Sequence, residues 1–227
     1  MNAALVSLIA AGITLVGTHF ALSHPLRTPL VGRLGERGFM LIYSVVALAA
    51  MVWMADAFGK VPPETVFWAG YGDAAWIAGS ALTLVAAILF VGSLAGNPAL
   101  PAPGAEAAAR QEPRGVFRVT RHPMMWGFAL WALAHAIAAP TSRTLVVAAT
   151  IATLALVGAH LQDRKKAALM GEAWREWAAR TSYWPRLTAL PQARWFALLG
   201  GTALWLAATY AHLHAGGGAA GPWRWLG

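Results

Sequence analysis

Residues 74–94 read AAWIAGSALTLVAAILFVGSL, a run without one charged side chain. A helix of that length covers roughly 30 Å, the thickness of bilayer hydrocarbon. Inside lipid every backbone N–H and C=O must be satisfied within the protein, so a run this apolar is read as a helix. Five further runs qualify or nearly do: Ala3–Leu22, Phe39–Phe58, Met124–Pro140, Thr144–Leu161 and Trp195–Ala211. The last three are short, which leaves little room for tilt. The fold class expected is all-α, a polytopic transmembrane bundle of about six helices.

The rest of the chain agrees with that reading. Of 227 residues, 58% are hydrophobic and only 11% charged, with a mean hydropathy of +0.54. A soluble domain carries about a quarter charged residues, so that class is excluded. The 12 Trp suffice for aromatic belts at two interfaces. With no cysteine, disulfide frameworks, thiolate metal sites and cysteine nucleophiles are excluded too. One membrane domain is expected over 1–213, followed by a mobile tail at 214–227 whose low-complexity part is His214–Gly221. The first span starts directly after Met1 and Asn2 with no basic n-region, and reads as a retained helix, not a signal peptide.

The net charge of +8 is explained by where it lies. Lys and Arg number three in Ser23–Gly38, four in Ala95–Pro123 and seven in Gln162–Arg194, whereas only Lys60, Arg143 and Arg224 fall elsewhere. This alternation puts the three basic connections in the cytoplasm and both termini outside. The partners implied are membrane lipids, not nucleic acid. Of the basic connections, Asn97–Arg114 is rich in Pro, Ala and Gly and is expected to be a flexible loop. Asp163–Thr181 places Leu169, Trp174, Trp177 and Ala178 near helical spacing among charges, the pattern of a cytoplasmic interfacial amphipathic helix.

Ionisable groups within hydrocarbon are costly and face the bundle interior. His19 lies in the first span, His135 in the fourth and His160 at the end of the fifth. Each alone is simply explained by a hydrogen bond to a neighbouring helix, but three in one small bundle point to a shared role. Two imidazoles from different helices can clasp a haem, and His19 with His135 is the favoured pair. Measured from Arg27 and Arg121, His19 lies about 12 Å inward and His135 about 21 Å, so His122 and His160 also remain candidates for the layer of His19. His122 and His135 are about 20 Å apart on one helix and cannot share a metal. Arg121 and His122 open the fourth span just before Pro123, where they can hold a phosphate, a haem propionate or a carboxylate, or simply anchor the helix at the headgroups. Asp163 and Arg164 fit charge pairing among the loops as well as ligand binding.

The blocks GTHFALSHPLRTPLVGRLGERGFMLIYSVVALAAMVWM, RHPMMWGFALWALAHAIA and HLQDRKKAALMGEAW with TSYWP closely resemble the NnrU family of integral membrane proteins, over about Gly17 to Pro191. That family is associated with nitrite and nitric oxide metabolism in denitrifying bacteria, and it includes a haem b carotene isomerase of plant plastids. The resemblance implies a multi-pass bacterial inner-membrane protein with haem b on His19 (in GTHF) and His135 (in WALAH). A cysteine ligand is unavailable to this chain. More distantly, RHP followed by an Asp-Arg-Lys segment and TSYWP is similar to the isoprenylcysteine and phospholipid methyltransferases. That resemblance implies S-adenosylmethionine, with Arg121 and His122 on its carboxylate and groups around Glu172 at its other end. A non-enzymatic factor for reductase expression or assembly is the third reading.

Overall fold

The structure is a computed structural model that describes residues 2–226 except 64, 71 and 216–218. Among the described residues it is all helical. Five helices are long and apolar enough to cross a membrane: α1 (Ala3–Ser23), α2 (Arg27–Lys60), α3 (Asp73–Gly92), α6 (Ser142–Met170) and α8 (Trp195–His214). A shorter apolar helix, α5 (Pro123–Ala138), is the sixth expected span. Three small α-helices, α4 (Ala105–Arg110), α7 (Glu172–Arg180) and α9 (Trp223–Leu226), and two 3-10 helices, Gly115–Arg118 and Leu187–Gln192, complete the set among the described residues.

The long helices pack in the spatial order α2, α1, α6, α5, α3, α8. Glycines set the closest approaches. A Cβ on Gly127 of α5 would lie 2.9 Å from the Ala86 carbonyl oxygen of α3, and one on Gly201 of α8 would lie 2.5 Å from the Ile88 Cα. Small residues at such crossings let lipid-embedded helices gain close van der Waals contact. The outward faces are apolar, as on α2, where Leu41, Val45, Leu48 and Val52 are exposed to the surroundings.

Several boundaries differ from the hydropathy reading, because a charge ends an apolar run without ending a helix. α2 begins at Arg27, not Phe39; it carries a break at Gly35 (φ 70°), and Arg27 reaches across the break to Glu36 at 2.6 Å. α6 continues nine residues past Leu161, so its 29 residues extend roughly 43 Å and its last turns outreach the hydrocarbon. The expected amphipathic helix at Asp163–Thr181 is therefore two pieces, divided at Gly171, whose φ of 54° suits glycine. Asn97–Arg114 is not a bare loop. It holds α4, whose fully buried Ala109 packs in one core with Trp174 and Trp177 of α7. Arg180 fastens the two pieces by donating to the Ala109 carbonyl at 2.9 Å and to Glu112 at 3.2 Å.

Of the tail expected to be mobile, residues 216–218 lie outside the described residues. Beyond them, Trp223 donates its indole N–H to Thr209 at 3.0 Å, and Arg224 pairs with Asp73 at 2.6 Å. α9 thus returns to the ends of α3 and α8.

Candidate functional site

His19, His122, His135 and His160 lie in four separate surroundings. At the basic end of the bundle, His122 caps α5 just ahead of Pro123, and residues 119–121 run alongside residues 182–186. Arg121 N–H donates to the Ser182 carbonyl and Arg186 N–H to that of Val119, each at 2.8 Å. This pairing aims both Arg121 and His122 at Asp163, which the prolonged α6 carries to the same level. His122 Nε2–H donates to Asp163 Oδ1 at 2.8 Å, and Arg121 Nε–H donates to its two oxygens at 2.9 and 3.0 Å. Tyr183 covers the group, with its ring 5.4 Å from the guanidinium carbon and its hydroxyl donating to the Leu156 carbonyl at 3.0 Å.

The carboxylate that Arg121 and His122 meet is therefore the chain's own. The His122 side chain is fully enclosed, and those of Arg121 and Asp163 are only 15% and 18% exposed. A guanidinium and an imidazole so occupied fasten α5 to α6 and leave little capacity for an external anion. Glu172, expected near the far end of a methyl donor, instead pairs on the surface with Arg175 at 2.7 Å.

His19 stands near the basic end of α1. Its Nδ1–H donates to the Leu15 carbonyl at 3.0 Å, and its ring lies edge-on to Tyr43 of α2 at 5.2 Å. His160 is exposed on α6.

His135 lies at the opposite end, three residues from the close of α5. It lines a partly open cavity of about 610 Å³ between α3, α5 and α8. The walls are mostly apolar and aromatic, including Trp76, Phe90, Trp131 and Trp205, and His212 of α8 faces His135 across them with ring centroids 6.0 Å apart. His135 Nδ1–H donates to the Trp131 carbonyl at 2.8 Å and its ring stacks on that indole at 4.0 Å. The bond fixes the tautomer, so Nε2 keeps its lone pair for a metal or a proton. On the opposite wall Trp205 donates to the Thr83 hydroxyl at 3.0 Å.

The structure does not bring His19 and His135 together. α6 stands between α1 and α5, and the cavity lining includes no residue of α1. Contacts of Gly12 with Thr150 and of Gly158 with Phe20 show α1 running parallel to α6. With α5 folding back from α6 at 139–141, the two imidazoles differ in depth by roughly 15 Å. The partner that His135 does meet, His212, escaped the sequence reading because the apolar run of the last span stops at Ala211. What could have found it is register: α5 and α8 both run away from the basic end, and His135 and His212 each sit near their far ends.

A family model described as NnrU protein matches residues 7–218. Over 86 residues the chain is 34% identical to a 15-cis-zeta-carotene isomerase, chloroplastic, of Zea mays, an alignment covering 35% of this chain and 24% of that relative. The aligned stretch is thus about a quarter of the relative's length. No solved structure matches.

Proposed function

The chain belongs to the NnrU family, and we propose on that premise that it is a haem b-binding membrane protein acting on an apolar molecule drawn from lipid. Its chamber is the cavity between α3, α5 and α8. One observation carries the reading: two imidazoles, one with its Nδ1 already committed to a backbone carbonyl, face each other at 6.0 Å inside an apolar cavity of about 610 Å³. Sites for small molecules and cofactors are typically about 300–1,000 Å³, apolar, with a few placed polar groups.

The residues present fit haem b at His135 and His212 and do not fit it at His19 and His135, which lie in different surroundings. Imidazole is a good ligand for iron, and indole walls suit a flat macrocycle. If bound there, haem would supply an iron centre able to take a small or unsaturated ligand only where one of the two imidazoles gives up its place.

The chain's own part is to orient and to exclude water. Trp131 holds the His135 ring, while the Trp205–Thr83 bond fixes the facing wall. The chamber admits an uncharged, elongated molecule more readily than a polar one. The name of the maize relative supports a polyene as that molecule and double-bond isomerisation as the reaction, a change that needs no net oxidant or reductant. The link to nitrite and nitric oxide metabolism enters through the same site, since nitric oxide is uncharged, dissolves in lipid and binds haem iron. The basic end faces the cytoplasm of a bacterial inner membrane, which places the chamber in the outer leaflet. The methyltransferase reading gains no comparable support, because Arg121 and His122 are engaged by Asp163.

The test is an absorption spectrum of the detergent-purified chain expressed with ample haem. A Soret band is expected, to be lost or strongly reduced in His135→Ala and displaced in His212→Ala. No band in the wild type, or one indifferent to both substitutions, removes the proposal.

A further inference from the structure

A second, smaller cavity lies at the basic end, away from the chamber and from the Arg121–Asp163 cluster. It measures about 200 Å³ and sits where the close of α3, the segment 111–117 and the start of α8 converge. Two glycines make the convergence fit. A Cβ on Gly92 would lie 2.5 Å from a Val116 methyl and 3.1 Å from Ala197 Cβ, and Gly115 (φ 59°) lets the backbone lie against the Arg194 side chain.

The charge around this cavity is one-sided. Arg114 and Arg194 line it and form no ion pair among the described residues. The acid in its wall, Glu112, is already paired with Arg180 at 3.2 Å. Gln111 adds an amide. Trp177 forms part of the wall, and its indole N–H is enclosed without a hydrogen-bond partner among the described residues. Arg194 is also held in place, with its guanidinium carbon 5.2 Å from the Phe196 ring.

Depth narrows the ligand. Gly92 ends one spanning helix and Trp195 begins another, and Trp195 is 72% exposed, as an aromatic anchor at the lipid boundary is expected to be. Basic pockets between spans at this level suit the phosphate of a lipid headgroup.

We propose that this cavity binds a phosphoryl anion at headgroup level, with Arg114 and Arg194 as its charged contacts. The ligand chemistry is a phosphate ester or phosphate, and the experiment separates the lipid from the free anion. The full-length chain is studied by native mass spectrometry after reconstitution with phosphatidylglycerol or phosphatidylcholine, and by calorimetric titration with inorganic phosphate. Preferential retention of phosphatidylglycerol identifies a lipid headgroup, whereas phosphate binding without lipid preference identifies the free anion. In either arm, binding should weaken about fivefold for each of Arg114→Gln and Arg194→Gln. Arg175→Gln, on the surface away from the cavity, should leave binding unchanged. The single variants keep the test open if the double variant fails to fold. Equal retention and equal phosphate affinity in the wild type and both single variants overturn the proposal.

Discussion

His122 Nε2 lies 2.8 Å from Asp163 Oδ1 with the imidazole wholly enclosed, and the same carboxylate takes Arg121. The bond joins the first residue before α5 to a turn of α6 beyond the apolar span, so it holds the two helices in register. Asp163→Ala strands a guanidinium and an imidazole together, and should lower stability by about 3 kcal/mol. Asp163→Asn keeps an acceptor and should cost less. Thermal melts followed by circular dichroism in one detergent check the order; an unchanged melt for Asp163→Ala contradicts it.

The glycines of the fold differ in what they tolerate. Gly201→Val drives a side chain into the α3 backbone at Ile88 and should destabilise by about 1–3 kcal/mol. Gly17 has nothing within 4 Å of its added Cβ, so Gly17→Ala should be neutral or stabilising by up to about 1 kcal/mol. Chemical denaturation of the two variants side by side measures the contrast.

Tyr183 gives the fold a pH dependence at its alkaline end. Burial raises its phenol pKa, and the Asp163 carboxylate raises it further, against the opposing Arg121 charge. A folded-state value above the unfolded one contributes stability that is present below the unfolded value, about 10, and lost as pH rises through the folded value. Tyr183→Phe should therefore be less stable than wild type at pH 8 by about 1 kcal/mol, the worth of its bond to the Leu156 carbonyl. The gap should narrow above pH 10. A constant gap at pH 8 and pH 11 argues against the assigned environment.

Filling the chamber should separate binding from folding. Ala208 lines the cavity on α8, and Ala208→Phe occupies space that a ligand needs without removing a buried contact. The variant should melt as the wild type does and show little Soret absorbance. Full haem content in a folded Ala208→Phe protein places the ligand elsewhere.

The spans were legible because hydropathy reports what lipid demands of a backbone, and Pro123 marked the start of α5 for the reason that proline suits a first turn. Charges misled at the edges: Arg27 reads as a loop residue and Asp163 as the start of a separate interfacial helix, yet Arg27 opens α2 and Asp163 lies within α6. Trp174 and Trp177 show how periodicity alone cannot choose a partner. Their face matches an interfacial helix, and the structure gives it to α4 and residues 115–119 instead. The pairing of His19 with His135 failed to appear in the fold for a related reason. Spacing along a chain sets depth to within a few residues but says nothing of the lateral order of helices, and α6 fills the place between α1 and α5. His135 was legible as a candidate and lines the cavity; its neighbour His212 became visible only when α3, α5 and α8 were seen to enclose one space.

Low-temperature electron paramagnetic resonance of the ferric protein decides whether His135 and His212 hold one iron. The wild type should give the low-spin signal of two imidazole ligands, His212→Ala should turn it to the high-spin signal of one, and His19→Ala should leave it unchanged. A low-spin signal that survives His212→Ala and disappears in His19→Ala rules out His212 as a ligand.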